Sequence, residues 1–294
     1  MLQKKKNMKP IAECSIITIH YGRQEHLNNL ILGIERNSIH PKELIIINMD
    51  PKLKLDYNGP LTINLNNILS DRANLLPIAN ARNLGAELAE TNHLLFLDVD
   101  CIPEDSYIKN LNNQLEVYKG LIMATPRYLK KPVTRVETID LIDKSTLHPR
   151  RPAYSKVTLI DHYELFWSLC FAMTKQDFKA LQGFDEEYKG YGAEDTDFAF
   201  KAKAAGMKFC LSPAIAFHQQ HSFVRPPLDK IEGIVNNANY FNKKWNIWPM
   251  EKALKTFDKA GFITFDTSTN TYSINHLPDE HSIEKYRVIN EPFA

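Results

Sequence analysis

Two aspartates one residue apart, Asp98 and Asp100, are the residues of this sequence best suited to chemistry. They follow the apolar segment 93–97 (HLLFL), which is short enough to predict a buried strand rather than a helix. Side chains at i and i+2 of an extended chain share a face, and two carboxylates on one face repel unless a proton or a cation lies between them. A divalent cation with positions left open for phosphate oxygens would fit the pair. An isolated Asp-x-Asp is more often a solvated strand end, so this interpretation depends on the rest of the chain.

A second group of acids, Glu194, Asp195 and Asp197, lies in the segment 191–197 (YGAEDTD) at the start of a predicted helix. Acids in a first helical turn complement the helix dipole and can cap the helix, which explains one or two of them. A third acid in the same turn is more than helix capping requires. A carboxylate at a buried helix start can act as a general base when a hydroxyl lies within hydrogen-bonding distance.

Two histidines, His218 and His221, come after a predicted strand at 209–211. A lone histidine is more often structural than a metal ligand. Two of them, in a chain that already carries a pair of acids, make one of them a candidate ligand.

The elements that must position these residues alternate between strand and helix in the first half of the chain. This alternation predicts βαβ units and a doubly wound, mostly parallel sheet, with a ligand crevice at the carboxyl ends of the strands. The predicted strands are 15–20, 44–47, 61–65, 93–97, 121–125, 166–174 and 209–211. The predicted helices are 24–36, 79–90, 104–119, 175–181, 228–244 and 250–259, and a hairpin is predicted over 262–274.

The basic, proline-broken segment 127–161 interrupts the alternation. A long segment of this kind inside a domain is usually functional or mobile. It predicts either a loop that closes over a phosphorylated substrate or a solvated surface excursion, and the sequence favours neither.

The composition excludes several classes of function. The net charge is +1, which gives no overall field for nucleic acid, and neither GxGxxG nor GxxxxGK[ST] is present. The four cysteines are far apart in apolar surroundings, which predicts buried thiols rather than a zinc site. No apolar run approaches the length of a membrane span, and the lysine-rich start has no apolar core. We therefore expect a cytoplasmic protein with at most peripheral contact at the inner face of a membrane.

Taken together, the motifs resemble the GT-A glycosyltransferases, specifically inverting family 2 enzymes with a C-terminal half like that of the β-1,4-galactosyltransferases. The resemblance covers residues 11–221 and rests on an ordered set: ARNLG at 81–85, Asp98-Val99-Asp100, the segments 168–185 and 191–197, and His218 with His221. It implies an α/β GT-A fold over 11–245. Within that domain it implies a nucleotide-binding half at 11–125 and an acceptor half at 162–225, followed by a C-terminal appendix of helices and a hairpin at 246–294.

The resemblance also implies roles for single residues. Asp98 and Asp100 would lie at a manganese or magnesium ion that bridges the nucleotide diphosphate, with His218 as the third ligand and His221 as the competing candidate. Asp195 would be the base that deprotonates the acceptor hydroxyl, and Glu194 an acceptor-binding acid. The residues that would bind the nucleotide donor are His20, Tyr21, Arg23, Asn48, Asp50, Arg82 and Asp98. Family 2 usually has two adjacent acids after the second strand, whereas this chain has Asn48-Met49-Asp50.

The implied activity is transfer of a hexose, of the galactose or N-acetylgalactosamine type, from a UDP-linked donor to a hydroxyl of a glycan, a lipid-linked or a peptide acceptor. One alternative is a metal-dependent sugar nucleotidyltransferase, which would release pyrophosphate and would normally carry a glycine-rich N-terminal loop that this sequence lacks. The other is a non-catalytic glycan-binding relative. Retention of the acids at 194–197 disfavours that second alternative.

Overall fold

Strands and helices alternate through most of the chain. The computed structural model describes residues 9–70, 72–151, 153–289 and 291–292. The strands of the described residues are β1 (Ile11–His20), β2 (His40–Asn48), β3 (Ile63–Asn67), β4 (His93–Leu97), β5 (Cys101–Pro103), β6 (Leu121–Leu129), β7 (Ser145–Leu147), β8 (Thr158–Ile160), β9 (Cys170–Thr174), β10 (Phe209–His218), β11 (Phe223–Val224), β12 (Ile263–Asp266), β13 (Thr271–Ile274) and β14 (Arg287–Val288). The α-helices of the same residues are α1 (Gln24–Arg36), α2 (Ile78–Leu88), α3 (Tyr107–Val117), α4 (Thr138–Asp143), α5 (Lys175–Ala180), α6 (Glu194–Ala204), α7 (Ile231–Trp245), α8 (Glu251–Lys259) and α9 (Glu280–Lys285).

One mixed sheet organises the described residues, in the order β3-β2-β1-β4-β9-β6-β10-β5, with β7 beside β6 and β8 beside β10. Strands β3, β2, β1 and β4 are parallel, and so are β6 and β10. Strand β9 lies antiparallel between β4 and β6. The βαβ prediction is confirmed by β1, α1 and β2, since β1 and β2 pair in parallel.

Helices cover both faces of this sheet, which is why most residues of its central strands are apolar. All five residues of β4 are buried. On one face α1 and α3 pack through side chains such as Leu30 and Leu111. On the other face α2, α5 and α6 pack around a group of phenylalanines that includes Phe171, Phe184 and Phe198. The sheet therefore lies as a rigid layer between two cores, with its strand ends available for a site.

Two predictions about the chain around the paired aspartates were wrong. Residues 99 and 100 form a turn rather than an extended chain, and the backbone N–H of Cys101 donates to the carbonyl of Asp98 at 2.8 Å. The helix predicted over 104–119 begins only at Tyr107, as α3, and Pro103, just before that range, ends strand β5. A proline is tolerated there because β5 lies at the end of the strand order and pairs only with β10 among the described strands.

Other boundaries differ because long-range pairing extends or shortens the elements. Strand β10 runs on to His218, beyond the predicted end at 211. The predicted strand 166–174 begins only at Cys170. Part of the segment 127–161 is regular, since it contains the end of β6, helix α4 and strands β7 and β8. The four cysteines are buried and outside any disulfide, as predicted.

The C-terminal elements share an apolar cluster with α7. Ile234 and Ala238 of α7 pack with Leu254 and Phe257 of α8 and with Ile263 at the start of the predicted hairpin, which is confirmed as β12 and β13. This cluster spans the predicted boundary between residues 245 and 246, and the division into domain and appendix stays a prediction. In the described part of the chain, no helix combines the length and the apolar character that a membrane span requires.

Candidate active site

The predicted acids and histidines converge on one cleft of about 560 Å³. Its floor is at the carboxyl ends of β1 and β4, and its wall continues to the start of α6 and the end of β10. The predicted site residues that line it are Tyr21, Arg23, Arg82, Asp98, Asp100, Glu194, Asp195, His218 and His221. The cleft thus combines residues from both predicted halves of the domain.

Asp100, His218 and His221 form a group with the geometry of a metal site. One possible ligand atom from each of the three side chains lies within 4.8 Å of the other two. The Oδ2 atom of Asp100 is 3.5 Å from Nε2 of His218 and 3.7 Å from Nε2 of His221. The two histidines that the sequence left as competing candidates therefore both face the same carboxylate.

The pairing of β5 with β10 brings this group together. Cys101 is opposite His218 in the antiparallel register, so Asp100 lies beside the end of β10. The backbone N–H of Gln219 donates to the carbonyl of Asp100 at 2.6 Å, which fixes the two chain ends to each other. The side chain of Gln219 also accepts a hydrogen bond from Asn29 on α1 at 2.8 Å. The ligand group is therefore anchored to a strand edge and to a helix.

The electrostatics of the group suit a cation. Burial opposes ionisation of Asp100, but His218 and Arg23 outweigh it and hold the pKa of this carboxyl below its usual range. Arg23 forms an ion pair with Asp100. Burial lowers the pKa of His218 and that of His221, to about 4 for His221. Neutral imidazoles and an ionised carboxylate are the forms that bind metals.

Asp98 lies in the cleft but outside this ligand group. Its carboxylate accepts hydrogen bonds from Nη2 of Arg82 at 3.1 and 3.3 Å. Nη1 of the same arginine donates to Glu194 at 3.3 Å. Burial alone would lower the pKa of Arg82, but the two carboxylates raise it above its usual value. Arg82 thus joins the end of β4 to the start of α6. A direct contact between Asp98 and a metal stays a prediction.

Glu194 and Asp195 open helix α6, directly after two residues with positive φ angles. Gly192 has a φ of 105° and Ala193 a φ of 70°, both in the left-handed region. The φ of Gly192 is one that residues with a side chain rarely adopt, so a substitution there would strain the backbone. The N–H of Gly192 donates to Glu194 at 3.2 Å. This turn directs both acids into the cleft.

Burial shapes the protonation of the two acids. It raises the pKa of Glu194 to about 7, with the neighbouring Asp195 adding to the shift and Arg82 opposing it. Burial likewise raises the pKa of Asp195, although the N–H of Thr196, which donates to Oδ1 at 2.7 Å, opposes the rise. A carboxylate whose pKa is raised is a better proton acceptor than an ordinary aspartate.

The third acid of the motif, Asp197, points away from the cleft. It is fully buried and accepts hydrogen bonds from the indole of Trp245 at 2.7 Å and the hydroxyl of Tyr188 at 3.3 Å. Lys244 lies 2.8 Å from the same oxygen. Asp197 therefore connects α6 to α7, and Trp245 also packs against Phe200 of α6, with ring centroids 5.5 Å apart.

We expect Asp197→Ala to lower the free energy of unfolding by about 3 kcal/mol, because it leaves buried donors without an acceptor. Urea denaturation followed by tryptophan fluorescence measures this. Asp161→Ala is the matched control, since that side chain is 89% exposed and its ion pair with Lys203 contributes little. Equal stability of the two variants would contradict a structural role for Asp197.

Three of the predicted nucleotide-binding residues, His20, Asn48 and Asp50, do not line the cleft. Nδ1 of His20 lies 3.0 Å from Oδ1 of Asn48, and both residues are buried. Asp50 accepts a hydrogen bond from the backbone N–H of Gly22 at 3.0 Å. These residues support the loop that carries Tyr21 and Arg23, and direct contact with a nucleobase stays a prediction for them.

The cleft also contains residues that the sequence did not single out. Trp167, His148 and Tyr128 form an aromatic wall, with ring centroids of His148 and Trp167 4.8 Å apart. Lys230 lies with Nζ 4.4 Å from the ring centroid of Tyr191. Only the basic character of the segment 127–161 pointed towards this wall. No local pattern distinguishes Lys230 from other lysines.

Comparisons with known proteins concern one segment of the chain and its fold. Residues 149–224 match the family model described as the N-terminal domain of galactosyltransferase. A structure of GalNAc-T7 with UDP, GalNAc and Mn²⁺ aligns with a TM-score of 0.50 and 14% identity over 70% of this chain and 42% of that chain. S. aureus TarS 1–349 aligns with a TM-score of 0.52 and 14% identity over 82% of this chain and 72% of that one. The present chain thus spans less than half of the GalNAc-T7 chain. At these identities the likeness concerns the fold, and it confirms the predicted GT-A architecture.

Proposed function

We propose that this chain is an inverting, metal-dependent glycosyltransferase of the GT-A type. Its fold and its matched segment support this assignment. The enzyme moves a hexose from a UDP-linked donor to a hydroxyl of a glycan, a lipid-linked or a peptide acceptor. The observation that carries the proposal is that the Asp100, His218 and His221 group and the Asp195 carboxylate line the same cleft. The matched galactosyltransferase segment favours galactose or N-acetylgalactosamine as the sugar. UDP is favoured as the nucleotide because a GalNAc-T7 structure and a TarS complex both contain it.

The residues of the group fit a divalent ion such as manganese or magnesium. One buried carboxylate and two imidazoles within 4.8 Å of one another offer oxygen and nitrogen ligands, and they leave positions for phosphate oxygens. A bound ion would stabilise the negative charge that develops on the leaving diphosphate. Asp100, His218 and His221 would hold it.

The remaining residues of the cleft supply binding, orientation and proton transfer. Asp195 accepts the proton of the acceptor hydroxyl as that oxygen attacks the sugar carbon, and Glu194 binds the acceptor. Arg82, 5% exposed, neutralises Asp98 and Glu194 and keeps the two carboxylates in place. Arg23 and Lys230 present positive charge on the side of the cleft where the diphosphate would lie.

The experiment that tests the proposal is a panel of nucleotide sugars with Mn²⁺ and a mixture of glycosides, monitored for release of UDP. We expect release with a UDP-hexose, loss of release in excess EDTA, and recovery when Mn²⁺ is restored. NMR of the product should give a β-linkage from an α-linked donor. Release of pyrophosphate would identify a nucleotidyltransferase instead, and binding of glycans without turnover of any donor would identify a binding module.

A further inference from the structure

Arg23 and the two histidines of the ligand group converge on one oxygen of Asp100. Nη1 of Arg23 forms an ion pair with Oδ2 of this carboxylate. The same oxygen lies 3.5 Å from Nε2 of His218 and 3.7 Å from Nε2 of His221. The other oxygen, Oδ1, faces the thiol of Cys101 at 3.8 Å, and a thiol is a weak donor. The oxygen that faces both imidazoles is therefore the one that the guanidinium holds.

A divalent cation at this oxygen and the guanidinium compete for one negative charge. The side chain of Asp100 is 9% exposed, so water screens little of the repulsion between two positive groups that share it. The neighbouring carboxylate of Asp98 accepts hydrogen bonds from Arg82, so it does not supply the missing charge. Binding of a divalent ion by Asp100 and the two histidines must therefore weaken the ion pair between Asp100 and Arg23.

The side chain of Arg23 can leave Asp100 without a change in the backbone that carries it. The carbonyl of Arg23 accepts a hydrogen bond from the N–H of Leu27 in the first turn of α1 at 3.0 Å. The preceding residue, Gly22, donates its N–H to Asp50, also at 3.0 Å. The arginine side chain is 33% exposed and lines the cleft. A guanidinium fork matches the oxygens of a phosphate, so a diphosphate in this cleft is a suitable second partner.

We propose that Arg23 exchanges partners when the donor binds: it pairs with Asp100 until that carboxylate binds the divalent ion, and then with the diphosphate of the donor. Both the ion and the UDP-linked donor come from the proposed function, on which this inference rests. Binding of the ion alone costs the protein an ion pair, whereas the nucleotide gives the guanidinium a new partner. The ion and the nucleotide should therefore bind more tightly together than separately.

The test is calorimetric titration of the protein with Mn²⁺ alone, and of the Mn²⁺-saturated protein with UDP. In Arg23→Gln we expect Mn²⁺ alone to bind at least about 5-fold more tightly, because its competitor is gone. We expect UDP to bind at least about 10-fold more weakly, because a charged partner of the diphosphate is lost. General damage to the cleft would instead weaken both. Arg23→Lys keeps the charge without the fork, so it should give values between those of Arg23→Gln and the unaltered protein.

Arg36→Gln is the matched control. This arginine ends the same helix, its side chain is 35% exposed, and it pairs with Asp105 on the surface, so both affinities should stay unaltered. Mn²⁺ binding by Arg23→Gln that is no tighter than in the unaltered protein, or absent from both, overturns the inference. Unchanged UDP affinity in Arg23→Gln overturns it as well. UDP binding that needs Arg23 but not Mn²⁺ would show that the guanidinium takes the place of the ion, which also contradicts an exchange. Failure of the proposed function is a separate result, in which the unaltered protein binds Mn²⁺ and UDP but turns over no UDP-sugar.

Discussion

Replacement of Asp100 by asparagine is expected to lower kcat/KM for sugar transfer by about 1000-fold. The carboxylate is the only acid in the ligand group of the described residues, and His218 and His221 both face it. An amide keeps the shape but loses the charge that binds the metal. Titration with Mn²⁺ should give a much weaker dissociation constant, and excess Mn²⁺ should recover part of the activity.

Asp105→Asn is the control for this variant. Its side chain is 49% exposed and pairs with Arg36 on the surface, so the same change in charge should leave transfer and Mn²⁺ affinity unaltered. If Asp100→Asn bound Mn²⁺ as tightly as the unaltered protein, the metal site would have to be elsewhere.

Asp195→Asn is expected to reduce kcat by a factor between about 100 and 10,000 while the affinity for UDP stays the same. The amide cannot accept the proton of the acceptor hydroxyl. The bond from the Thr196 N–H to Oδ1 can be kept, so the start of α6 should not move. Steady-state assays of sugar transfer measure kcat, and calorimetric titration with UDP measures the affinity for the nucleotide. Near-normal transfer by this variant would refute the base assignment.

The same assignment fixes the direction of the pH dependence. A base must be ionised, and burial raises the pKa of Asp195 above the ordinary value of 3.8. Activity should therefore fall on acidification at a pH higher than a solvated aspartate would give, and it should be kept as the pH rises towards neutral. Glu187→Gln, which changes an exposed acid of the neighbouring turn, should leave this profile in place.

The parts of the fold that follow local periodicity could be predicted from the sequence. Helix α1 is an example, since Leu27, Leu30 and Ile34 recur at helical spacing and are all buried. Asp98 and Asp195 could be found because each belongs to a group of acids, and the two groups are part of one ordered set of motifs. Both lie in the cleft, as the resemblance implied.

The grouping within the site could not be predicted in the same way. The separation of Asp98 from Asp100 depends on the turn at 99–100 and on Arg82, which reaches Asp98 from helix α2. The convergence of both histidines depends on the antiparallel register of β5 and β10, a pairing of segments far apart in the chain.

Arg82 gives the two sides of the cleft a common counter-ion. Asp98 and Glu194 each take one edge of a single guanidinium, so their charges are not independent. A sugar hydroxyl of the donor that binds Asp98 would weaken its ion pair with Arg82, and Arg82 would then pair with Glu194 alone. An acceptor that binds Glu194 would instead leave Arg82 paired with Asp98 alone. Thermodynamic linkage requires any such influence to be reciprocal, so occupancy of one substrate position would alter the affinity of the other by the same factor.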